Sequence, residues 1–397
     1  HGAIGLVTTS RPVFSQSNFE LNTAFYQAFL LKDNGVYLRL GDIFRQTKNN
    51  SNTGVSNRNF SLLGDPSMRL QFPELPIAIT EVENQEANNI IKALSTVTIR
   101  GEVKQSDGIT LAANFNGEAE IVIHDKPQTF RTIPNPNTYT YQQWDNRLFS
   151  GKAKVVDGEF VFSFVTPNTI NYTLGNGRIS VYAKSTSATA GGIAFAQVGG
   201  SSLPENPEND APQLKAYMND STFINGGIVS PNVRLYVETE DENGINISGF
   251  GVGNDLIAIL DGNEVYELRN YYQAKSNTFK KGIIDFPLKE LTEGPHQIVV
   301  KAWDVLGNMG ETKVDFIVTS PKELLVTQAG SIPNPTSGET KIFVRHNAAG
   351  ETLEANIDFY QSNGAKYAVS YAISEDVLNK ATIFTFDASQ LPAGMYY

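Results

Sequence analysis

The chain has 397 residues, no cysteine and four histidines, and its 31 Lys and Arg against 42 Asp and Glu leave a net charge of −11. Without cysteine these residues hold no disulfide, no thiolate metal site and no thiol nucleophile. Acidity with no block of Lys or Arg argues against nucleic acid as a main partner, and no apolar run approaches the roughly 20 residues that span a bilayer.

A chain of this length exceeds one hydrophobic core and predicts about three or four domains. Its 33 glycines, 16 tyrosines and 23 phenylalanines lean toward strands and turns. It opens at His1 directly on strand-like sequence, which reads as an interior or mature piece of a longer protein.

Residues 1–75 alternate in type. Ala3, Ile4, Gly5, Leu6 and Val7 form an unbroken apolar run, expected of a central strand buried on both faces. Ser17 and Glu20 have the spacing of a capping box before a helical stripe of Leu21, Phe25, Ala28 and Phe29, with Asn34-Gly35 as its stop. A second helix is expected over residues 38–48, with Leu40, Ile43 and Phe44 inward. Closing strands are expected over residues 60–63 and 68–72, separated by Gly64-Asp65-Pro66. Residues 73–76 read as a stiff linker.

Residues 77–203 read as a β-sandwich. Strands are expected over 120–124 and 178–182, and Asp157-Gly158 marks a hairpin within 154–162. Residues 199–202 and 204–207 read as a second linker. Residues 208–320 repeat the style as an immunoglobulin-like sandwich, with strands over 233–237, 296–304 and 313–318 and an Asp261-Gly262 hairpin. Residues 322–397 form a shorter C-terminal β module.

The loop after the first strand is the best site candidate, because ligands of open α/β sheets sit beyond the carboxyl ends of strands. It offers Thr9, Ser10 and Arg11, with Phe14 close behind. An arginine there can pair with a substrate carboxylate, and an aromatic ring can wall a side-chain pocket. No serine triad assembles: His1 is terminal, and His124, His296 and His346 fall in three separate strand-rich modules, where they read as ordinary strand residues. Asp65 before Pro66 reads as a turn residue that ties down backbone N–H groups. The acidic run Glu238, Glu240, Asp241 and Glu242 before Asn243-Gly244 has part of the make-up of a calcium loop. It lacks the first Asp and the distal Glu, so a solvated turn is the default reading and calcium the alternative.

Taken in order, these pieces resemble one family. Residues 2–13, 17–22 and 59–70 look like the C-terminal end of the caspase-like domain of gingipain-type cysteine peptidases. Residues 172–183, 253–262 and 301–305 are similar to the region after the catalytic domain in that family's type IX secretion sortases. Pro333-Asn334-Pro335 with residues 391–396 looks like their C-terminal sorting-type or FlgD-like β module. The resemblance implies a partial α/β domain followed by all-β sandwiches. It also implies a His/Cys pair in which the thiolate attacks the scissile carbonyl to form an acyl-enzyme.

The implied partners are the C-terminal sorting domains of exported cargo, the outer-membrane components of the secretion system, and anionic lipopolysaccharide, whose amine receives the acyl group. The implied location is the bacterial cell surface. No catalytic residue carries over, since the chain has no cysteine and His1 does not match the catalytic histidine. What carries over is the specificity-pocket loop, here Thr9, Ser10, Arg11 and Phe14. No cofactor is implied. Two other readings stand beside this one: a non-catalytic surface interaction or adhesion module built of β-sandwiches, and a passive stalk. The missing partner strands make residues 1–75 the expected weak point of the chain.

Overall fold

The computed structural model describes residues 4–51, 54–133, 138–249, 253–319, 326–346, 352–375 and 381–396. They fall into two compact units, residues 1–73 and 74–397. No helix among the described residues is long and apolar enough to cross a membrane.

In the first unit, strand Gly5–Thr9 pairs antiparallel with Phe60–Gly64, and the two form a sheet of their own. The expected central strand, buried on both faces, is not what forms. Ala3 lies outside the described residues, and side chains alternate across the strand. Gly5 and Val7 share the face of Leu62, which packs on the cluster of Ala28, Leu40 and Ile43. Leu6 and its cross-strand partner Leu63 point the other way and stay 53% and 56% exposed, with Ile4 at 59%.

Helix Ser15–Phe29 starts before the expected capping box, with Phe14 at its N-cap and no side-chain cap. Glu20 instead accepts a 2.9 Å bond from Gln16 Nε2 one turn away. The helix stops at Phe29, and Asn34-Gly35 make the turn of a small hairpin, Lys32–Asp33 with Val36–Tyr37. Helices Leu40–Asn50 and Val55–Arg58 follow, one more than expected.

Residues 68–72 form no strand beyond a single bridge between Arg39 and Arg69. They serve a helix end instead. Helix Leu40–Asn50 has no side-chain cap. Its first N–H groups are satisfied by main-chain carbonyls, Leu40 N donating to Met68 O at 2.8 Å and Gly41 N to Pro66 O at 2.9 Å. Asp65 holds that turn as its sequence suggested, its Oδ1 accepting from Ser67 N at 2.8 Å and Ser67 Oγ at 2.7 Å. A Cβ at position 41 would lie 2.8 Å from Pro66 Cβ, so glycine is what lets the turn dock there.

The second unit is β-structure of sandwich type. Strands Glu159–Val165, Thr96–Val103 and Leu75–Asn84 make one layer. Thr189–Ser201, Gly175–Ser185, Gly117–His124 and Arg147–Val155 make the other. Strand Leu75–Asn84 belongs to both: Leu75 and Pro76 pair parallel with Ala190 and Gly191, and the remainder pairs antiparallel with Thr96–Val103. The strand therefore begins inside the expected linker, and residues 199–201 likewise lie within a strand. Val97, Ile99, Ile121, Ile123, Phe164 and Ile179 are fully buried between the layers.

The Asp157-Gly158 turn forms with φ of 50° and 83° and is closed by one bridge, Val156 and Glu159 each donating to the other's carbonyl at 2.9 Å, but the pairing extends no further along the strands. Its two flanking strands pair in opposite layers. Gly158 is held by Phe115 O and Val103 N, so the turn arches across the sandwich. Asp261-Gly262, with φ of 50° and 78°, does join a true hairpin, Ile257–Leu260 with Glu264–Glu267.

In that second sandwich, Gln213–Met218, Val233–Glu240, Lys281–Leu288 and Tyr272–Ala274 face a five-stranded layer. That layer comprises Ile228–Val229, Met309–Val318, Gly294–Trp303, Ile257–Leu260 and Glu264–Glu267. One hydrophobic core runs from Ile77 to Val318 through both sandwiches, which meet where Gly151 pairs with Ala274. Further along, Val326–Ile332, Glu339–His346 and Ala381–Asp387 pair antiparallel, as do Thr352–Tyr360 and Lys366–Glu375.

Native-state hydrogen exchange should separate the two units. Amides of Gly5–Thr9 and Phe60–Gly64 are expected to exchange at least about 100-fold faster than those of Ile121, Ile123 and Ile179. Equal protection would show that the two-stranded sheet is as stable as the sandwich cores.

Candidate functional site

The loop after Gly5–Thr9 is tied to the start of the partner strand. Ser10 N and Oγ both donate to Asn59 O, at 2.9 Å and 3.3 Å, and Thr9 Oγ1 donates to Arg11 O at 2.5 Å. Both hydroxyls are therefore engaged with backbone. Phe14 begins helix Ser15–Phe29, its carbonyl accepting from Asn18 N at 3.1 Å, and its ring is 80% exposed. Arg11 is exposed and makes no ion pair among the described residues. The backbone thus fixes a short platform from which a guanidinium and an aromatic ring project. Those are the two groups able to meet a ligand.

The histidines stand apart, as their spacing implied. His1 lies outside the described residues, and His346 is described only as part of a strand. His124 is 8% exposed at the end of Gly117–His124. Burial, then the Arg178 and Arg147 guanidiniums, push its pKa down to about 4, which leaves it neutral at pH 7.

His296 is bound at both ring nitrogens. Nδ1 is 2.7 Å from Asp261 Oδ2, Nε2 is 2.7 Å from Thr292 O, and the ring stacks on Phe316. A neutral imidazole donates one proton, so two acceptors select the imidazolium. Burial pulls the His296 pKa down, but the bonds to Thr292 and Asp261 outweigh it, and the net shift is upward. This residue fastens the Asp261 turn to residue 292, a structural role that lone-histidine reasoning did not reach.

One cluster combines Asp241 of the acidic run with two residues the sequence did not single out. Side-chain oxygens of Glu208, Asp241 and Asp304 lie within 4.8 Å of one another. Asp241 follows Val233–Glu240, Asp304 follows Gly294–Trp303, and Glu208 lies between the two sandwiches. Asp241 Oδ1 accepts from the backbone N–H groups of Asn243 and Gly244, both at 2.8 Å. Asp304 Oδ1 does the same with Gly307 at 2.6 Å and Asn308 at 2.7 Å. The side-chain amides of Asn243 and Asn308 point at Glu208 Oε1, at 3.2 Å and 3.4 Å.

The Asp-x-Asn-Gly and Asp-x-x-Gly-Asn spacings were the legible signal. They mark two turns; only the fold brings them together. An all-oxygen set of this kind suits a hard cation such as Ca2+. Burial is the main reason that the Asp241 pKa rises to about 6, and the Asp304 and Glu208 charges add to it against the two backbone bonds.

Residues 1–71 match peptidase family C25. No curated protein matches the chain in sequence. Among solved structures, the chain is similar to latent PorU from Porphyromonas gingivalis at 25% identity and a TM-score of 0.38, over 91% of this chain and 35% of that one. Fibronectin(III)-like modules of Clostridium thermocellum CbhA align over 62% of this chain and 94% of theirs, at 11% identity and a TM-score of 0.18. The chain thus spans about a third of the PorU chain it is aligned with.

Two pH effects follow, with a definite sign. Asp241 has a folded pKa above its unfolded one, so its contribution is full below pH 3.8 and is lost as pH rises through about 6. In chelator-treated protein, Asp241→Asn should remove that loss and stabilise the chain at pH 8 by about 1–2 kcal/mol after solvent screening. A variant less stable than wild type at pH 8 would contradict this, and repeating the scan with Ca2+ shows whether a cation neutralises the cluster instead.

The second effect concerns His296, whose folded pKa is also raised. Its stabilisation is full below about pH 6.5 and declines as pH rises through the folded value. His296→Gln is expected to lower Tm by about 2–4 °C at pH 5.5 and by less at pH 8.5. An equal loss at both values would mean that the charge plays no part.

Proposed function

We propose that residues 1–71 complete the sheet and substrate pocket of a gingipain-like cysteine peptidase, and that the whole protein is a PorU-like sortase of the type IX secretion system. The observation that carries this reading is the match of those residues to peptidase family C25. The geometry of the strand pair supports it. Ile4, Leu6 and Leu63 present an apolar face, and strand Gly5–Thr9 has one partner where an α/β sheet supplies two. With no cysteine among the 397 residues, the nucleophile comes from sequence outside them.

In this reading the Cys thiolate, assisted by a His, attacks the carbonyl before the C-terminal sorting domain of a cargo protein. The sorting domain leaves with the proton, and the acyl-enzyme passes the cargo to an amine of anionic lipopolysaccharide. Arg11 and Phe14, held out by the Ser10–Asn59 bonds, line the specificity pocket, with Thr9 and Ser10 shaping its rim. The β modules then follow the catalytic domain as immunoglobulin-like sandwiches and a FlgD-like, sorting-type C-terminal module. The assembly works at the outer face of the outer membrane with other components of the secretion system.

A second reading, a non-catalytic surface interaction module, draws on an open cleft of about 930 Å3 in the β unit. It lies between strand Glu159–Val165 and residues 277–280.

The protein encoded by the whole reading frame tests both. It is expected to hold a His and a Cys ahead of residue 1 and to release sorting domains from cargo. Arg11→Ala should lower kcat/KM at least about 10-fold, mainly through KM. A reading frame without a cysteine ahead of residue 1, or a purified protein that leaves sorting domains intact, would overturn the peptidase reading. Binding to outer membranes in that case would favour the second.

A further inference from the structure

We propose that Arg147 and Arg178, with the Trp144 ring against Arg178, form a binding site for an oxyanion, a carboxylate or phosphate group carried by a ligand. The placement is set by strand register. Arg178 on Gly175–Ser185 and Arg147 on Arg147–Val155 are both direct partners of His124 on the strand between them. At the usual strand spacing of about 4.8 Å, the two arginines flank the histidine within about 10 Å of each other. Three basic side chains thus share one row, in a protein whose net charge is −11.

Neither arginine of the row makes an ion pair among the described residues. Among the described residues the Arg178 side chain makes no hydrogen bond. Its guanidinium lies over the Trp144 ring, 4.8 Å from the centroid. Among the described residues, Arg147 reaches only a backbone carbonyl, Asn270 O, at 3.5 Å. Asp145, whose charge acts on both His124 and Arg147, is shared with a third arginine: Arg269 Nη2 lies 3.7 Å from Asp145 and 3.4 Å from Glu267. Two buried donor groups, Trp144 Nε1 and Arg178 Nε, and the buried ring nitrogen Nδ1 of His124 have no hydrogen-bond partner among the described residues. Buried polar groups ordinarily find partners, and unmatched donors beside unpaired guanidiniums are the complement of an anion.

The site is also held in place. Asn146, between Trp144 and Arg147, is buried. Its Nδ2 donates to Asp125 Oδ2 at 3.3 Å, its Oδ1 accepts from Gly249 N at 2.7 Å, and its carbonyl accepts from Asp125 N at 2.9 Å. Phe195 lies beside Trp144 and is exposed, so the charged row adjoins an apolar platform on which the body of a ligand can rest.

Burial, then the charges of Arg178 and Arg147, lower the His124 pKa to about 4, and the charge of Asp145 opposes them. A bound anion opposes both arginines, so binding and His124 protonation are linked and each favours the other.

The test uses the 397-residue chain with inorganic phosphate and with acetate as separate probes. NMR of the His124 ring and of the Trp144 indole N–H provides the readout, with Trp144→Phe assigning the latter. Saturating anion is expected to raise the His124 pKa by at least one unit and to shift the indole signal. A response to acetate alone assigns a carboxylate ligand, and a stronger response to phosphate assigns a phosphate ester. The double variant Arg147→Gln, Arg178→Gln should weaken binding at least 10-fold while near-UV circular dichroism stays native. Should the variant unfold, the wild-type His124 titration decides by itself. An unmoved pKa and indole signal up to about 20 mM of both anions, well above a millimolar Kd, would overturn the site, as would unchanged binding by a folded double variant.

Discussion

The pairing of Gly5–Thr9 with Phe60–Gly64 is the constraint on which the first unit rests. Side chains of a strand alternate, so one register decides both faces at once. Val7 opposite Leu62 commits that face to the helices, and Leu6 opposite Leu63 is thereby committed to the other. A one-residue slip would exchange the two sets and expose the residues that seat helix Leu40–Asn50. The same pairing fixes the site loop, because Ser10 reaches Asn59 only when Thr9 lies opposite Phe60. It also fixes the turn at Asp65, whose neighbouring carbonyls take over the role of an N-cap for the second long helix. Sheet, loop and helix start therefore stand or fall on five residue pairs.

Much of this was legible. Strands with strict alternation, such as Gly175–Ser185 and Gly294–Trp303, declare themselves because one face must be buried. Asp65 declared its turn because an aspartate two residues before a free N–H bonds locally whatever the fold. The errors fall where a local signal has two global uses. Asp157-Gly158 and Asp261-Gly262 have the same dipeptide and nearly the same backbone angles. One bridges two layers and the other joins adjacent strands, because the choice lies with distant residues such as Phe115 and Val103. Ser17 and Glu20 have capping spacing, yet the helix extends past them to Phe14, and no rule of spacing alone forbids that.

The site residues show the same division. Thr9, Ser10, Arg11 and Phe14 are adjacent in sequence, so their grouping needed no fold. Glu208, Asp241 and Asp304 are far apart in the chain, as are Arg147, Arg178 and His124. Each group forms only through strand register or the ends of neighbouring strands. The two groups have opposite electrostatics in one acidic chain. The carboxylates are crowded, and although Asp241 draws on two backbone N–H groups, its pKa is still raised. The arginines are crowded too, but a guanidinium cannot shed its proton at physiological pH. The strain there falls on His124, which becomes the neutral member of the row.

The two sandwiches are clamped to each other directly, not only through the linker between them. Asn168 N and Nδ2 donate to Val305 O at 3.0 Å and Leu306 O at 2.9 Å. Asn246 Nδ2 donates to Thr169 Oγ1 at 2.9 Å, Ser248 Oγ to Thr169 O at 3.0 Å, and Lys154 N to Asn277 Oδ1 at 2.8 Å. Beneath these bonds the apolar core is continuous through Gly151 and Ala274. Swinging one sandwich against the other would break five directional bonds and open that core, so the pair moves as one body. Proline and acid in residues 204–210 therefore do not mark a hinge. They carry Glu208 to the two strand ends that hold Asp241 and Asp304, and the charge cluster inherits the rigidity of the joint it occupies.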